Sequence, residues 1–127
     1  MHEANAFDPL SRQIIGLAIE VHRALGPGLL ESAYEQCLCH ELRTNNINFR
    51  SQVPIPIIYK GLNLDCGYRL DLMVENLIVV EIKSVDRLIP IHSAQILTYM
   101  KLTGTRIGLL LNFNSAILRD GLKRFVL

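Results

Sequence analysis

Residues 68–83 read YRLDLMVENLIVVEIK. Two apolar runs, Tyr68 to Val74 and Ile78 to Lys83, flank a short polar link. Ile78, Val79, Val80 and Ile82 give the second run the texture of a strand covered on both faces. Three ionisable groups interrupt this pattern: Asp71, Glu81 and Lys83. Burying charges without partners costs on the order of several kcal/mol. The segment therefore needs a compensating ion, or a sheet end that opens to solvent.

Strand geometry turns this into a statement about register. Side chains alternate along a strand, so Glu81 and Lys83 share a face. If Glu75-Asn76-Leu77 is the link, Val74 opposes Ile78 and Asp71 opposes Glu81, and all three groups lie on one face. A strict two-residue turn at Glu75-Asn76 pairs Asp71 with Val80 and throws Glu81 to the other face. A functional site here thus predicts a three- or five-residue connection, or a bulge. Two carboxylates opposed across a strand pair suit a hard divalent cation such as Mg²⁺ or Mn²⁺. Lys83 beside them suits positioning or deprotonating a water, or stabilising a pentavalent transition state. A salt bridge at a strand end accounts for the same spacing, and on spacing alone it is the simpler reading.

Upstream, Asp8-Pro9 reads as an N-cap followed by proline at the first helical position. Leu10, Ile14, Leu17, Ala18, Val21 and Leu25 recur at helical spacing, and Gly26-Pro27-Gly28 stops the helix. A second helix is expected from near Leu29 to about Asn45, with the stripe Leu30, Ala33, Tyr34, Cys37, Leu38 and Leu42. Phe49 to Tyr59 reads as an edge strand broken by Pro54 and Pro56, and Lys60-Gly61 as a turn. Downstream, a helix from about Pro90 to Leu102 ends at Gly104. Strands follow from Arg106 to Leu111 and at the end of the chain. Consecutive early strands imply antiparallel pairing, and the helical crossover before Arg106 implies a parallel neighbour. The expected fold is α/β, with a mixed central sheet flanked by helices.

With 127 residues, one domain spanning 1–127 is expected. Half of the residues are hydrophobic and the net charge is +1. A near balance of charge counts against tight non-specific binding to nucleic acid, although a carboxylate-rich metal site subtracts from the sum. No segment approaches the roughly 18 apolar residues of a membrane span. Met1 to Phe7 lacks the apolar core of a secretory signal. Cys37, Cys39 and Cys66 form no CxxC pair and read as reduced thiols of a cytoplasmic protein.

Tyr68-Arg69-Leu70-Asp71 followed by Val80-Glu81-Ile82-Lys83 resembles motifs II and III of the PD-(D/E)xK nuclease superfamily. Leu70 stands where that family usually has proline. Gly28-Leu29-Leu30-Glu31-Ser32-Ala33-Tyr34 resembles the GxxExxY signature of one branch. Val21 to Pro27, His92-Ser93-Ala94-Gln95 with Tyr99, and Leu109 to Phe113 resemble that branch too. The resemblance implies a restriction-endonuclease-like core. It implies a metal site made by Glu31, Asp71, Glu81 and the backbone carbonyl of Ile82, with Lys83 as the catalytic lysine. Gln95 and Tyr99 look like the QxxxY element of helicase-associated exonucleases, placed to support substrate.

Other groups carry weaker signals. Tyr34 packs beside the site rather than reacting. His92 either approaches substrate or caps its helix, and Gln95 bonds either a phosphate or water. Arg50, Lys60 and Arg69 either line a phosphate path or form a solvated face. The leading reading is a Mg²⁺- or Mn²⁺-dependent nuclease cleaving DNA without sequence specificity. A catalytically weak module that binds nucleic acid or a partner on the same fold is the alternative, and a structural scaffold is a third. A homodimer would place two sites on one substrate.

Overall fold

The computed structural model describes residues 8–127, so the expectation for Met1 to Phe7 lies outside the described residues. Helix α1 spans Pro9–Leu25 and α2 spans Glu31–Thr44. The Asp8 carboxylate accepts from the Ser11 backbone N–H at 3.1 Å, which caps α1 ahead of Pro9. Gly26 ends α1 with φ 69°, a conformation that only glycine takes without strain. Strand β1 is Phe49–Pro54, β2 Ile57–Tyr59, β3 Leu62–Leu64, β4 Arg69–Val74 and β5 Ile78–Lys83. Helix α3 covers Pro90–Thr103 and stops at Gly104, whose φ of 71° and ψ of 18° form a left-handed cap. Strand β6 is Ile107–Asn112, a 3₁₀ turn covers Leu118–Gly121, and β7 is Leu122–Val126.

The main sheet has the order β1-β4-β5-β6-β7. Only the β5–β6 pair is parallel, because α3 carries the chain across between them. The mixed sheet flanked by helices is the fold the sequence predicts. One expected strand is split: the two prolines end β1 at Pro54, and β2 pairs with β3 in a separate hairpin. Its turn, Lys60-Gly61, has φ of 49° and 81°, the left-handed pair that a tight hairpin needs.

Each face of the sheet has its own core. Ile14, Leu17, Val21, Tyr34, Leu38 and Leu42 of α1 and α2 pack on Leu72, Val74, Ile78, Val80 and Ile82. Ile96, Tyr99 and Met100 of α3 pack on Met73, Val79 and Leu110. On α2 the expected stripe is buried at Tyr34, Leu38 and Leu42, while Leu30 is exposed and Cys39 joins the core. Helix α2 begins at Glu31, so Leu30 precedes its first turn.

Gly121 shows how tightly the far end of β6 is built. A Cβ there would stand 2.7 Å from the Asn112 carbonyl oxygen and 3.1 Å from its Cβ. Backbone cannot yield as the tip of a side chain can. Gly121→Ala is expected to destabilise the fold by about 2–3 kcal/mol in urea denaturation. At Gly108 the nearest obstacle is the flexible end of Met100, so Gly108→Ala should cost about half as much. Equal effects would contradict this packing.

Candidate active site

Strands β4 and β5 pair from Val74↔Ile78 to Leu72↔Val80. Their link is the three-residue connection that places Asp71 opposite Glu81. Glu75 and Asn76 have φ of 53° and 56°, the Leu77 N–H donates to the Val74 carbonyl at 2.9 Å, and Leu77 is the extra residue. Beyond Leu72 the backbone ladder stops and side chains replace it. The Asp71 N–H donates to Glu81 Oε2 at 2.7 Å, and the Ile82 N–H donates to Asp71 Oδ2 at 2.7 Å. The two carboxylates are thus wedged between parting strands, each satisfying a backbone donor of the other's strand.

The alternation of faces also breaks here. Leu70 and Leu72 are two residues apart yet sit in opposite cores. On the neighbouring strand Phe49 and Val53 are likewise divided, with Gln52 between them at φ 51°. A left-handed residue in a strand reverses its pleat. The reversal brings the Gln52 amide into the site: its Nε2 donates to Glu35 Oε1 at 2.9 Å and Asp71 Oδ1 at 3.3 Å.

Groups from both flanking layers meet at this opening. From α2, Glu31 Oε2 accepts from the Ser84 N–H at 3.2 Å, and the Ser84 hydroxyl donates to the Leu29 carbonyl at 2.6 Å. From α3, Gln95 Oε1 accepts from Lys83 Nζ at 3.4 Å, and Gln95 Nε2 donates to the Tyr99 hydroxyl at 3.2 Å. Among the described residues Lys83 makes no direct ion pair with Asp71 or Glu81, although its charge acts on both. A family model of the PD-(D/E)XK nuclease superfamily matches residues 8–125.

This chain belongs to the PD-(D/E)XK nuclease superfamily.

No curated protein and no solved structure gives a significant match. PD-(D/E)XK nucleases act on nucleic acid and generally use divalent metal ions. Among the described residues, no three His, Cys, Asp or Glu side chains are grouped to hold a metal ion. Asp71 and Glu81 each give one oxygen to a backbone amide. The donor set is nonetheless one that a hard cation accepts. Glu31, Asp71 and Glu81 supply carboxylate oxygens only, and Glu31 and Glu81 each keep an Oε1 without a hydrogen bond among the described residues.

The remaining groups named from sequence fall in different places. Tyr34 is fully buried and stacked on Phe113 at 4.6 Å. Its hydroxyl donates to the Gly26 carbonyl at 2.6 Å and accepts from the Leu29 N–H at 3.1 Å. Tyr34 therefore ties down the loop ahead of Glu31 and is closed to substrate. His92 caps α3, its Nδ1 accepting from the Ile89 N–H at 3.1 Å. Arg50 bonds Asn76 Oδ1 at 3.1 Å, near the hairpin and away from Lys83. Glu35 and Gln52 were not singled out by sequence. Glu35 had a signal, since it lies one helical turn after Glu31 and so on the same face. Gln52 had none, because its place depends on a left-handed conformation set by the paired strand.

Acid crowding raises the affinity of these carboxylates for protons. Glu81, 4% exposed, is pushed up to about 8, first by burial and then by the Asp71 charge. Burial raises Asp71 as well, and raises Glu35, with Asp71 and Glu31 adding to it. Between the ordinary carboxyl value of 4.5 and about 8, the folded Asp71–Glu81 pair holds a proton that the unfolded chain has released. Stability of the metal-free protein therefore falls as pH rises through that window. Urea denaturation should show a loss on the order of 3 kcal/mol from pH 5 to pH 8.5. Glu81→Gln should largely flatten this profile, and an unchanged profile would contradict the cause assigned here.

Proposed function

We propose that this protein is a metal-dependent nuclease that hydrolyses DNA phosphodiester bonds without sequence specificity, on the GxxExxY branch of its superfamily. The observation that carries the reading is the parted end of β4 and β5. There two crowded carboxylates form no direct salt bridge, while the nearby Lys83 charge acts on both and its Nζ bonds Gln95. An all-oxygen acidic site of this kind favours Mg²⁺ or Mn²⁺, held by Glu31, Asp71, Glu81 and the Ile82 carbonyl. When bound, such an ion lowers the pKa of a coordinated water and offsets phosphate charge.

The chain's own groups supply the rest. Lys83 Nζ presents a positive donor beside the carboxylates, suited to orienting the attacking water and to stabilising charge on the phosphoryl oxygens. Gln95 fixes that ammonium, and Tyr99 in turn fixes Gln95. Glu31 links α2 to the backbone just beyond Lys83 through Ser84.

A second reading, a binding module with weak catalysis, draws on one observation. Asp71 and Glu81 already serve backbone amides, so holding an ion competes with a structural task. A cleavage screen with Mg²⁺ and Mn²⁺ over single-stranded, duplex, flap and junction DNA decides between them. Cleavage of at least one form supports the nuclease. DNA binding with neither metal uptake by calorimetry nor cleavage overturns it in favour of the module.

A further inference from the structure

Beside Lys83, Gln95 and Tyr99 runs a groove of about 540 Å³ along α3. Its walls are Ile57, Tyr68, Ile91 and Leu102, and it ends on Gln95 and Tyr99. Tyr68 is 48% exposed and Ile91 64% exposed, so large apolar side chains stand open at the rim of the site. No lysine or arginine lines the groove. A phosphate would find no cation there.

Three features indicate what does fit. The groove shares Gln95 and Tyr99 with the candidate active site, so its occupant lies next to the amide that bonds Lys83. Its chemistry is that of a nucleobase, which has apolar faces for Tyr68 and the aliphatic walls and a polar edge for His92 and Gln95. The net charge of +1 withholds the cation surplus from which duplex-binding proteins take most of their affinity. Stacking on an aromatic ring supplies affinity without charge and without regard to sequence.

We propose that this groove holds an unpaired base of the strand being cut, so that single-stranded or frayed DNA is the substrate class. A base locked in a duplex stack offers no free face to Tyr68. The proposal rests on the nuclease reading above and deepens it.

The test measures binding by fluorescence anisotropy in Ca²⁺ and cleavage in Mg²⁺. The probes are a labelled oligo(dT), an abasic strand of equal length, and a blunt duplex. The proteins are wild type, Tyr68→Ala and Ile91→Ala, with circular dichroism confirming the fold at these exposed positions. Oligo(dT) should bind about 10-fold more tightly than the abasic strand or the duplex. Tyr68→Ala should remove most of that advantage and leave abasic binding unchanged. Equal affinity for the three probes, an unaffected Tyr68→Ala, or no DNA binding at all overturns the proposal. So does a concentration-dependent dimer lost on Ile91→Ala, which would make the groove a contact between copies. Wild-type cleavage with unaffected groove variants sinks the groove assignment alone. Groove-dependent binding with no cleavage under any metal sinks the nuclease reading alone.

Discussion

Lys83→Ala should lower metal-dependent DNA cleavage by about 10³-fold while leaving the chain folded. Lys83 is half-buried at the end of β5, and its Nζ donates to Gln95 Oε1 at 3.4 Å. Removing it breaks one long hydrogen bond, so the stability cost should stay below about 1 kcal/mol. The effect on rate is larger because Lys83 supplies the cationic charge that acts on Asp71 and Glu81. Lys83→Arg keeps the charge but replaces a compact ammonium by a planar fork, and should recover only part of the rate. Single-turnover cleavage beside urea denaturation separates the two effects. Full activity in the alanine variant would remove Lys83 from the chemistry.

Asn112→Ala should cost about 3 kcal/mol of stability and slow cleavage as well. Asn112 is almost fully buried where β6 ends. Its Oδ1 accepts from the Val85 N–H at 3.1 Å and the Asn114 N–H at 3.2 Å, and its Nδ2 donates to the Val85 carbonyl at 2.9 Å. One amide thus extends the sheet past the last backbone pair and holds the chain leaving Lys83. Truncation orphans the Val85 N–H and leaves its carbonyl only the 3.3 Å bond from Asn114 Nδ2, which is the costly way to lose a hydrogen bond. Ser84, whose N–H holds Glu31, lies between Lys83 and Val85, so the loosened segment carries site geometry with it. Asn112 is a positioning residue and touches no substrate, so kcat should fall with little change in KM. Asn112→Asp, which keeps the acceptors and loses the donor to Val85, should fall between the two. A variant with intact activity and wild-type stability would show that the clamp is dispensable.

Much of the frame was readable because it rests on local rules. Proline at the start of α1, glycine at its end and at the end of α3, and the apolar run of β5 each follow from backbone sterics or burial. The parity of the Glu75-Asn76-Leu77 link decided whether Asp71 and Glu81 could meet; the sequence posed that condition, and the pairing of Val74 with Ile78 met it. Two readings needed the third dimension. Tyr34 looked like a site neighbour from its spacing to Glu31. Its ring lies instead under the Gly26 to Leu29 loop, because Phe113 from another element offers it a stacking partner. The stretch from Phe49 to Tyr59 read as one strand, but sheet pairing takes only its first part.

The sequence by itself determined the mixed α/β frame and put Asp71, Glu81 and Lys83 on one strand pair, with their shared face conditional on the turn. Alternation, turn length and proline sterics act over a few residues and need no partner. The tertiary structure alone decided how the ends of β4 and β5 part, and which groups fill the gap. Gln52 turns left-handed and reverses the pleat of β1, carrying its amide to Glu35 and Asp71. Asp71 and Glu81 then take up backbone amides that the broken ladder leaves free. Those choices depend on satisfying buried polar groups between strands distant in the chain, and no local pattern records that requirement.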